Sequence, residues 1–185
     1  LDLTNKRKNA WGTGLIFNHE IDSIQNVTVA AGFTRQISEN ANKTAYYSNA
    51  YALGLAYNFV HTTYGLDLAH KDTKNKGGAG NKVKNNEVTA VIRQGLNEDW
   101  NVYAMYSYKT EKTLPVGSAY SKSTDRQFLV GTEYYVFKQG SVKVKPFIEW
   151  QATRTKYENT FDKDSGKQLD RSRDFKTVIG LRAYW

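Results

Sequence analysis

Charged side chains recur at alternate positions in the second half of this sequence, and they are the residues best placed to do chemistry. Alternation puts them on one face of successive β-strands, opposite an apolar face. A row of basic groups on such a face would attract anions and release them from site to site along a water-filled wall. The alternative for each group is a cross-strand ion pair, which would fill the space enclosed by the charged face. The candidate lining residues are Arg93, Lys109, Glu133, Lys143, Lys145, Glu149, Lys176 and Arg182.

A catalytic or metal site is not expected. The chain has no Cys and three His residues, at His19, His61 and His70. A protease site would need a carboxylate and a His close together, and His70 with Asp72 is the closest match. A pair of solvated surface charges is the favoured interpretation of these two residues. The predictions are therefore no enzyme activity, no catalytic residue, no metal and no cofactor.

The elements that must position the charges are β-strands. Two-residue periodicity, with one apolar face, is clearest in six segments: 63–71, 87–95, 100–111, 127–137, 142–153 and 174–185. The connections alternate in length. Short ones lie near residues 22–23, 60–61, 97–99 and 139–140, and long polar ones near 38–44, 72–86, 112–125 and 157–173. Tight turns at one rim and long loops at the other are typical of outer-membrane barrels.

These features predict one domain over residues 1–185, an all-β transmembrane antiparallel up-and-down β-barrel. Counting back from Trp185 gives nine strands to Trp11, and residues 1–5 could add a short tenth with 6–9 as its loop. The prediction is about ten strands, or twelve if strands are missed or absent. Mean hydropathy of −0.66 argues against a helical membrane protein, while 14% aromatic residues fit the aromatic girdles of a barrel.

The predicted location is the outer membrane of a Gram-negative bacterium. The expected partners are outer-membrane lipid and lipopolysaccharide. Trp185 ends the apolar face of the last strand, as in the C-terminal signal of outer-membrane barrels, and predicts contact with the barrel-assembly machinery. The net charge of +8 is scattered among Tyr and Asn, so nucleic acid is not an expected partner.

Three segments resemble the oligogalacturonate-specific porin family, which includes sialic-acid porins. They are Asn97–Tyr108, Ser123–Tyr134 and the closing Asp174–Trp185, and the resemblance extends over about the last half of the chain. The resemblance implies a small monomeric pore of twelve strands that admits acidic sugars. The family's basic tracks inside the pore would correspond to Arg93, Lys143, Lys145, Lys176 and Arg182.

The predicted function is an outer-membrane channel, a porin for ion and sugar transport by diffusion of small anionic or oligosaccharide solutes. The main alternative is a non-enzymatic surface adhesin or ligand-binding barrel with a plugged lumen. A barrel-bound hydrolase ranks third, and a soluble basic β-protein that binds polyanions ranks fourth. Strand number separates the first two, because barrels near eight strands are filled by side chains and wider barrels open.

Overall fold

The computed structural model describes residues 6–39, 45–75, 82–115, 119–161 and 167–184, and within these ranges the chain is almost entirely β-strand. No membrane-crossing helix occurs in them. The ten strands are β1 (Lys6–Asp22), β2 (Gln25–Glu39), β3 (Ala45–Phe59), β4 (Thr62–Asn75), β5 (Lys82–Gly95), β6 (Trp100–Leu114), β7 (Ser121–Tyr134), β8 (Phe137–Gln139), β9 (Val142–Glu158) and β10 (Arg171–Tyr184).

The strands form one antiparallel sheet in which each long strand pairs with the next along the chain. The order is β1-β2-β3-β4-β5-β6-β7-β9-β10, and the short β8 pairs with the start of β9. The prediction of an all-β, antiparallel, up-and-down fold of about ten strands is confirmed. Closure into a barrel is not confirmed, because β1 and β10 are the two edges of an open sheet in the described residues.

Two details of the predicted topology differ from the structure. Residues 6–9, predicted as a loop, belong to β1, and the tenth strand is β8 rather than residues 1–5, which lie outside the described residues. The predicted loops 72–86 and 112–125 are also too long, because β4 continues to Asn75, β5 begins at Lys82 and β7 begins at Ser121. In each place the strand extends through residues of mostly polar type, so the apolar–polar alternation is lost while backbone pairing continues.

The short connections lie at one end of the sheet and the long ones at the other, which we call the turn rim and the loop rim. Two-residue turns join β1 to β2, β3 to β4 and β8 to β9. Val60 and Gly140, in the second and third of these turns, have φ values of 53° and 60°, as tight hairpins require. The predicted alternation of connection lengths is therefore present in the sheet.

The two faces of the sheet differ sharply in chemistry. Residues directly opposite each other on paired strands point to the same side. One such row is Ala104, Val130, Trp150 and Thr177, and the row beside it is Tyr103, Gly131, Glu149 and Val178. We call these the apolar face and the polar face. No hydrophobic side chain is buried in the described residues, and Leu15 and Ile179 are 79% and 77% exposed. The apolar face therefore lacks a covering layer within the described chain.

Candidate functional site

The register brings all eight predicted lining residues onto the polar face. Five of them form one contact network. Three lie apart from it. The network consists of Arg93, Glu133, Lys145, Glu149 and Arg182, and the three outside it are Lys109, Lys143 and Lys176.

Glu133 is the centre of this network and accepts bonds from three cations. Its Oε1 lies 2.7 Å from Arg93 Nη2 and 2.8 Å from Lys145 Nζ. Its Oε2 lies 2.7 Å from Arg182 Nη1. The Glu133 side chain is 4% exposed and that of Lys145 is 7% exposed, so the two charges are held out of water by their neighbours. A carboxylate with three cationic donors is compensated well enough to stay ionised in such a place.

Glu149 extends the network to a fifth strand, β6, through Tyr103. Its Oε1 accepts from Arg182 Nη2 at 2.7 Å and from the hydroxyl of Tyr103 at 2.6 Å. Tyr103 stands on β6 and Glu149 on β9, with Gly131 of β7 directly between them. A Cβ at Gly131 would lie 2.5 Å from the Tyr103 ring, so only glycine lets the ring cross β7 to reach the carboxylate.

A second glycine supports Arg182 in the same way. The ring of Phe147 lies over Gly180, where a Cβ would come within 2.5 Å of its Cζ. The guanidinium of Arg182 stacks on that ring, 4.1 Å from the centroid. Lys145 is enclosed by the rings of Tyr135 and Tyr184, at 5.0 and 5.3 Å from their centroids. The aromatic rings therefore fix the positions of both cations.

The network lies close to the turn rim. Glu133 is one residue from the end of β7, and Arg93 and Arg182 are each two residues from the ends of β5 and β10. Its three cations and two carboxylates leave one excess positive charge in a group otherwise satisfied by internal pairs. The network is therefore a layer of fixed charges that largely neutralise one another.

The other predicted residues are more exposed. Lys176 Nζ is 3.2 Å from Asp174 Oδ2, Lys109 lies between Glu87 and Asp125 in the register, and Lys143 lies opposite Tyr184. Charges of both signs balance across the polar face of β4, β5, β6, β7, β9 and β10. Seven are basic and seven acidic. They are Lys71, Arg93, Lys109, Lys143, Lys145, Lys176 and Arg182 against Asp67, Glu87, Glu111, Asp125, Glu133, Glu149 and Asp174.

Beside this charged half, the polar face of the first four strands carries small side chains. A depression of about 810 Å³ lies over it. Lys71, Glu87, Lys109 and Glu111 border the depression on the side of β4 to β6. The small residues in its floor are Gly12, Gly14, Gly32, Ala50, Ala52 and Ala69. The polar face therefore combines a bulky charged layer on the late strands with open space over the early ones.

His70 and Asp72 lie on the apolar face near the loop rim, away from the network. His70 Nε2 is 3.3 Å from Asp72 Oδ2, its Nδ1 is 2.6 Å from Asn86 Oδ1, and Lys82 is 3.6 Å from the same Asp72 carboxylate. His70 and Asp72 are therefore part of a cluster of polar and charged side chains at the loop rim. Among the described residues no group of three or more His, Asp or Glu side chains has the arrangement of a metal site.

Sequence reasoning missed Tyr103, Phe147, Gly131 and Gly180 as parts of the site. The available signal was a glycine on one strand beside an aromatic residue on the next, both on the polar face. Recognising it requires the strand register, because the two positions are far apart in the chain. Compared with protein-family models, curated proteins and solved structures, the chain matches none.

Proposed function

We propose that this chain forms an outer-membrane β-barrel that serves as a diffusion channel for small anionic or oligosaccharide solutes. The observation that carries the proposal is the two-faced sheet, whose long strands expose an apolar belt on one face and carry the charges of their middle sections on the other. Lipid is the natural cover for such a face, since lipid-facing and lumen-facing residues alternate along barrel strands. The porin resemblance of the late strands agrees with this proposal but rests on the sequence alone.

The proposal requires that the edges of the sheet become paired. Nine long strands make β1 and β10 run in the same direction, from loop rim to turn rim. An antiparallel barrel therefore needs one further strand, or another odd number, running the opposite way between them. Closure then gives an even total, as in bacterial single-chain barrels, and ten or twelve strands both satisfy the condition.

The open polar face over the early strands supports a channel. Small side chains there leave the 810 Å³ depression, so the charged network does not occupy the whole polar face. In a closed barrel this space would be part of the lumen toward the loop rim, and the network would line the lumen near the turn rim. Because the fixed charges balance, the expected selectivity for anions is mild.

The direct test is reconstitution in a planar bilayer with measurement of single-channel current and reversal potential. Lys143→Glu with Lys176→Glu changes two exposed groups outside the network, and should move the reversal potential toward cations. Lys145→Glu is unsuitable, because it would place a carboxylate against buried Glu133. The control is Lys84→Glu with Lys112→Glu, which changes the net charge equally on the apolar face near the loop rim.

The expected control result is an unchanged reversal potential. The effect of the polar-face pair should grow at low salt, since the screening length is about 8 Å at physiological ionic strength and longer below it. Equal shifts for both pairs would mean that ions do not pass along the polar face.

A plugged barrel that binds ligands through its loops is the second candidate. The buried Glu133 network favours it, because a layer of largely compensated charges is what fills narrow barrels. Absence of ion current from barrels proven to be inserted would select this candidate over the channel.

Orientation can be tested separately, since the chain has no native Cys and single cysteines label cleanly. Glu98→Cys lies in the turn between β5 and β6, and Ala119→Cys precedes β7 at the loop rim; both positions are exposed. On intact cells a membrane-impermeant maleimide should modify Ala119→Cys and leave Glu98→Cys unlabelled until the cells are lysed. The reverse pattern would invert the proposed topology.

A further inference from the structure

A cluster of cations lies on the apolar face near the loop rim, outside everything assigned above. Arg126 of β7, Arg154 of β9 and Arg173 of β10 are directly opposite one another in the register. Lys156 and Arg171 form the adjacent pair toward the loop rim. We call these five residues the arginine row. Since the polar face is balanced in charge, such rim residues contribute to the chain's excess of positive charge.

The arginine row is undercompensated. Like charges directly opposite on neighbouring strands repel. The nearest carboxylates serve only its outer members: Glu158 lies 3.5 Å from Lys156, and Asp170 lies 3.8 Å from Arg171. Within the described residues no salt bridge joins Arg126, Arg154 or Arg173 to a carboxylate. Five cations held together on a surface otherwise suited to lipid call for an anion from outside the chain.

The space around the row has two parts with different chemistry. A cleft of about 350 Å³ is lined by five cations and one carboxylate: Lys122, Arg126, Arg154, Lys156, Arg171 and Glu158, together with Tyr108 and Thr124. A second cleft, also of about 350 Å³, begins at Arg126, Arg154 and Arg173 and continues over Phe128, Ala152 and Phe175. Arginine forks bind phosphate oxygens in pairs, and the aromatic surface beside them suits a hydrocarbon chain. A ligand that fills both clefts has a phosphorylated head and an apolar tail.

The depth of the row agrees with such a ligand. Below Arg173, β10 continues for eleven residues, Asp174 to Tyr184. A barrel strand crosses the hydrocarbon layer in about 9–11 residues. The row therefore lies at the level of the head groups on the loop side, with its apolar cleft pointing into the hydrocarbon.

We infer that the arginine row and the cleft over Phe128 and Phe175 bind a phosphorylated lipid of the outer leaflet, with its phosphate on Arg126, Arg154 and Arg173. Lipopolysaccharide, whose lipid part carries phosphate groups, has the required chemistry. The inference rests on the proposed function, because it needs the apolar face to lie in a membrane. It adds a specific lipid site that the channel itself does not require.

The test uses the full chain, folded in zwitterionic detergent, and native mass spectrometry to count bound lipid. The probes are diphosphoryl lipid A, the same lipid without phosphates, and inorganic phosphate. Wild type should bind the diphosphoryl form about tenfold tighter than the dephosphorylated form, as loss of charge-assisted hydrogen bonds implies. Arg126→Gln with Arg154→Gln and Arg173→Gln should abolish that preference, and Arg154→Gln alone should reduce it.

The matched control removes three cations from the same face and rim, on β5 and β6: Lys82→Gln, Lys84→Gln and Lys112→Gln. It should keep the wild-type preference. Equal loss of the lipid preference in both triple variants would show that the preference comes from the overall positive charge, and it would overturn the site. Displacement of the lipid by inorganic phosphate at equal concentration would assign the row to free anions and overturn it as well.

Bilayer conductance of the same samples separates this inference from the proposed function. A wild type that conducts but does not distinguish the two lipids would overturn the lipid site alone. A wild type that never inserts into a bilayer would overturn the channel, and the lipid site with it.

Discussion

Ile179→Arg should destabilise the folded protein in a bilayer by about 2–4 kcal/mol, whereas Val178→Arg should cost far less. The two residues are neighbours in β10 and point to opposite faces. Ile179 is 77% exposed on the apolar face, so its replacement would place a guanidinium in hydrocarbon. Val178 lies on the polar face directly opposite Glu149, where an added cation meets water and a carboxylate.

The measurement is reversible urea unfolding from lipid vesicles, followed by the fluorescence of the chain's four Trp residues. Gly180, the other neighbour of Ile179, also lies on the polar face, but Val178→Arg is the better control for which face meets lipid. A Cβ at Gly180 would lie 2.5 Å from Phe147 Cζ, so even Gly180→Ser would disturb packing. Equal free-energy losses for Ile179→Arg and Val178→Arg would mean that the apolar face does not contact lipid.

The faces of the strands could be predicted from sequence because they follow from the two-residue period of a strand alone. That period placed residues as far apart as Arg93 and Arg182 on one face, as the register does. Strand ends were harder to predict. Residues 6–9 and 72–75 continue their strands and are all of polar type, so the alternation of apolar and polar residues is lost although pairing persists.

The contacts within the site could not be predicted, because they depend on register and on where glycines leave room. Arg93 and Glu133 are 40 residues apart, and Arg182 and Glu133 are 49 apart. The sequence placed Arg93, Lys145 and Arg182 on a basic wall facing solutes. The structure pairs all three with one carboxylate, so they contribute less free charge than their number suggests. Closure of the sheet depends on pairing of its edges, which alternation within strands does not determine.

Glu133→Gln should strongly destabilise the network around Glu133, which we also call the charge layer, because it removes the acceptor shared by three cations. Losing one partner of a buried pair costs about 3–5 kcal/mol. Arg93 and Arg182 are partly exposed, so the lower end of that range is expected. The same change should make the channel more selective for anions, since Lys145 and both arginines keep their charge.

Glu111→Gln is the matched control for Glu133→Gln. Glu111 lies on the same face, is exposed and borders the depression, so its loss changes the net charge equally without breaking a buried pair. Unfolding free energy and reversal potential should both separate the two variants, with a large destabilisation confined to Glu133→Gln. If Glu133→Gln proved as mild as Glu111→Gln on both measures, Glu133 would not be the centre of a buried charge layer.

A double substitution distinguishes a structural from an electrostatic role for that layer. Adding Lys145→Met to Glu133→Gln removes both members of the buried pair, and should recover part of the lost stability because no uncompensated ammonium remains there. The reversal potential should return toward that of wild type, since the two changes together leave the net charge of the polar face unaltered. Recovery of stability without recovery of selectivity would mean that Glu133 acts on permeating ions directly rather than through the cations that it holds.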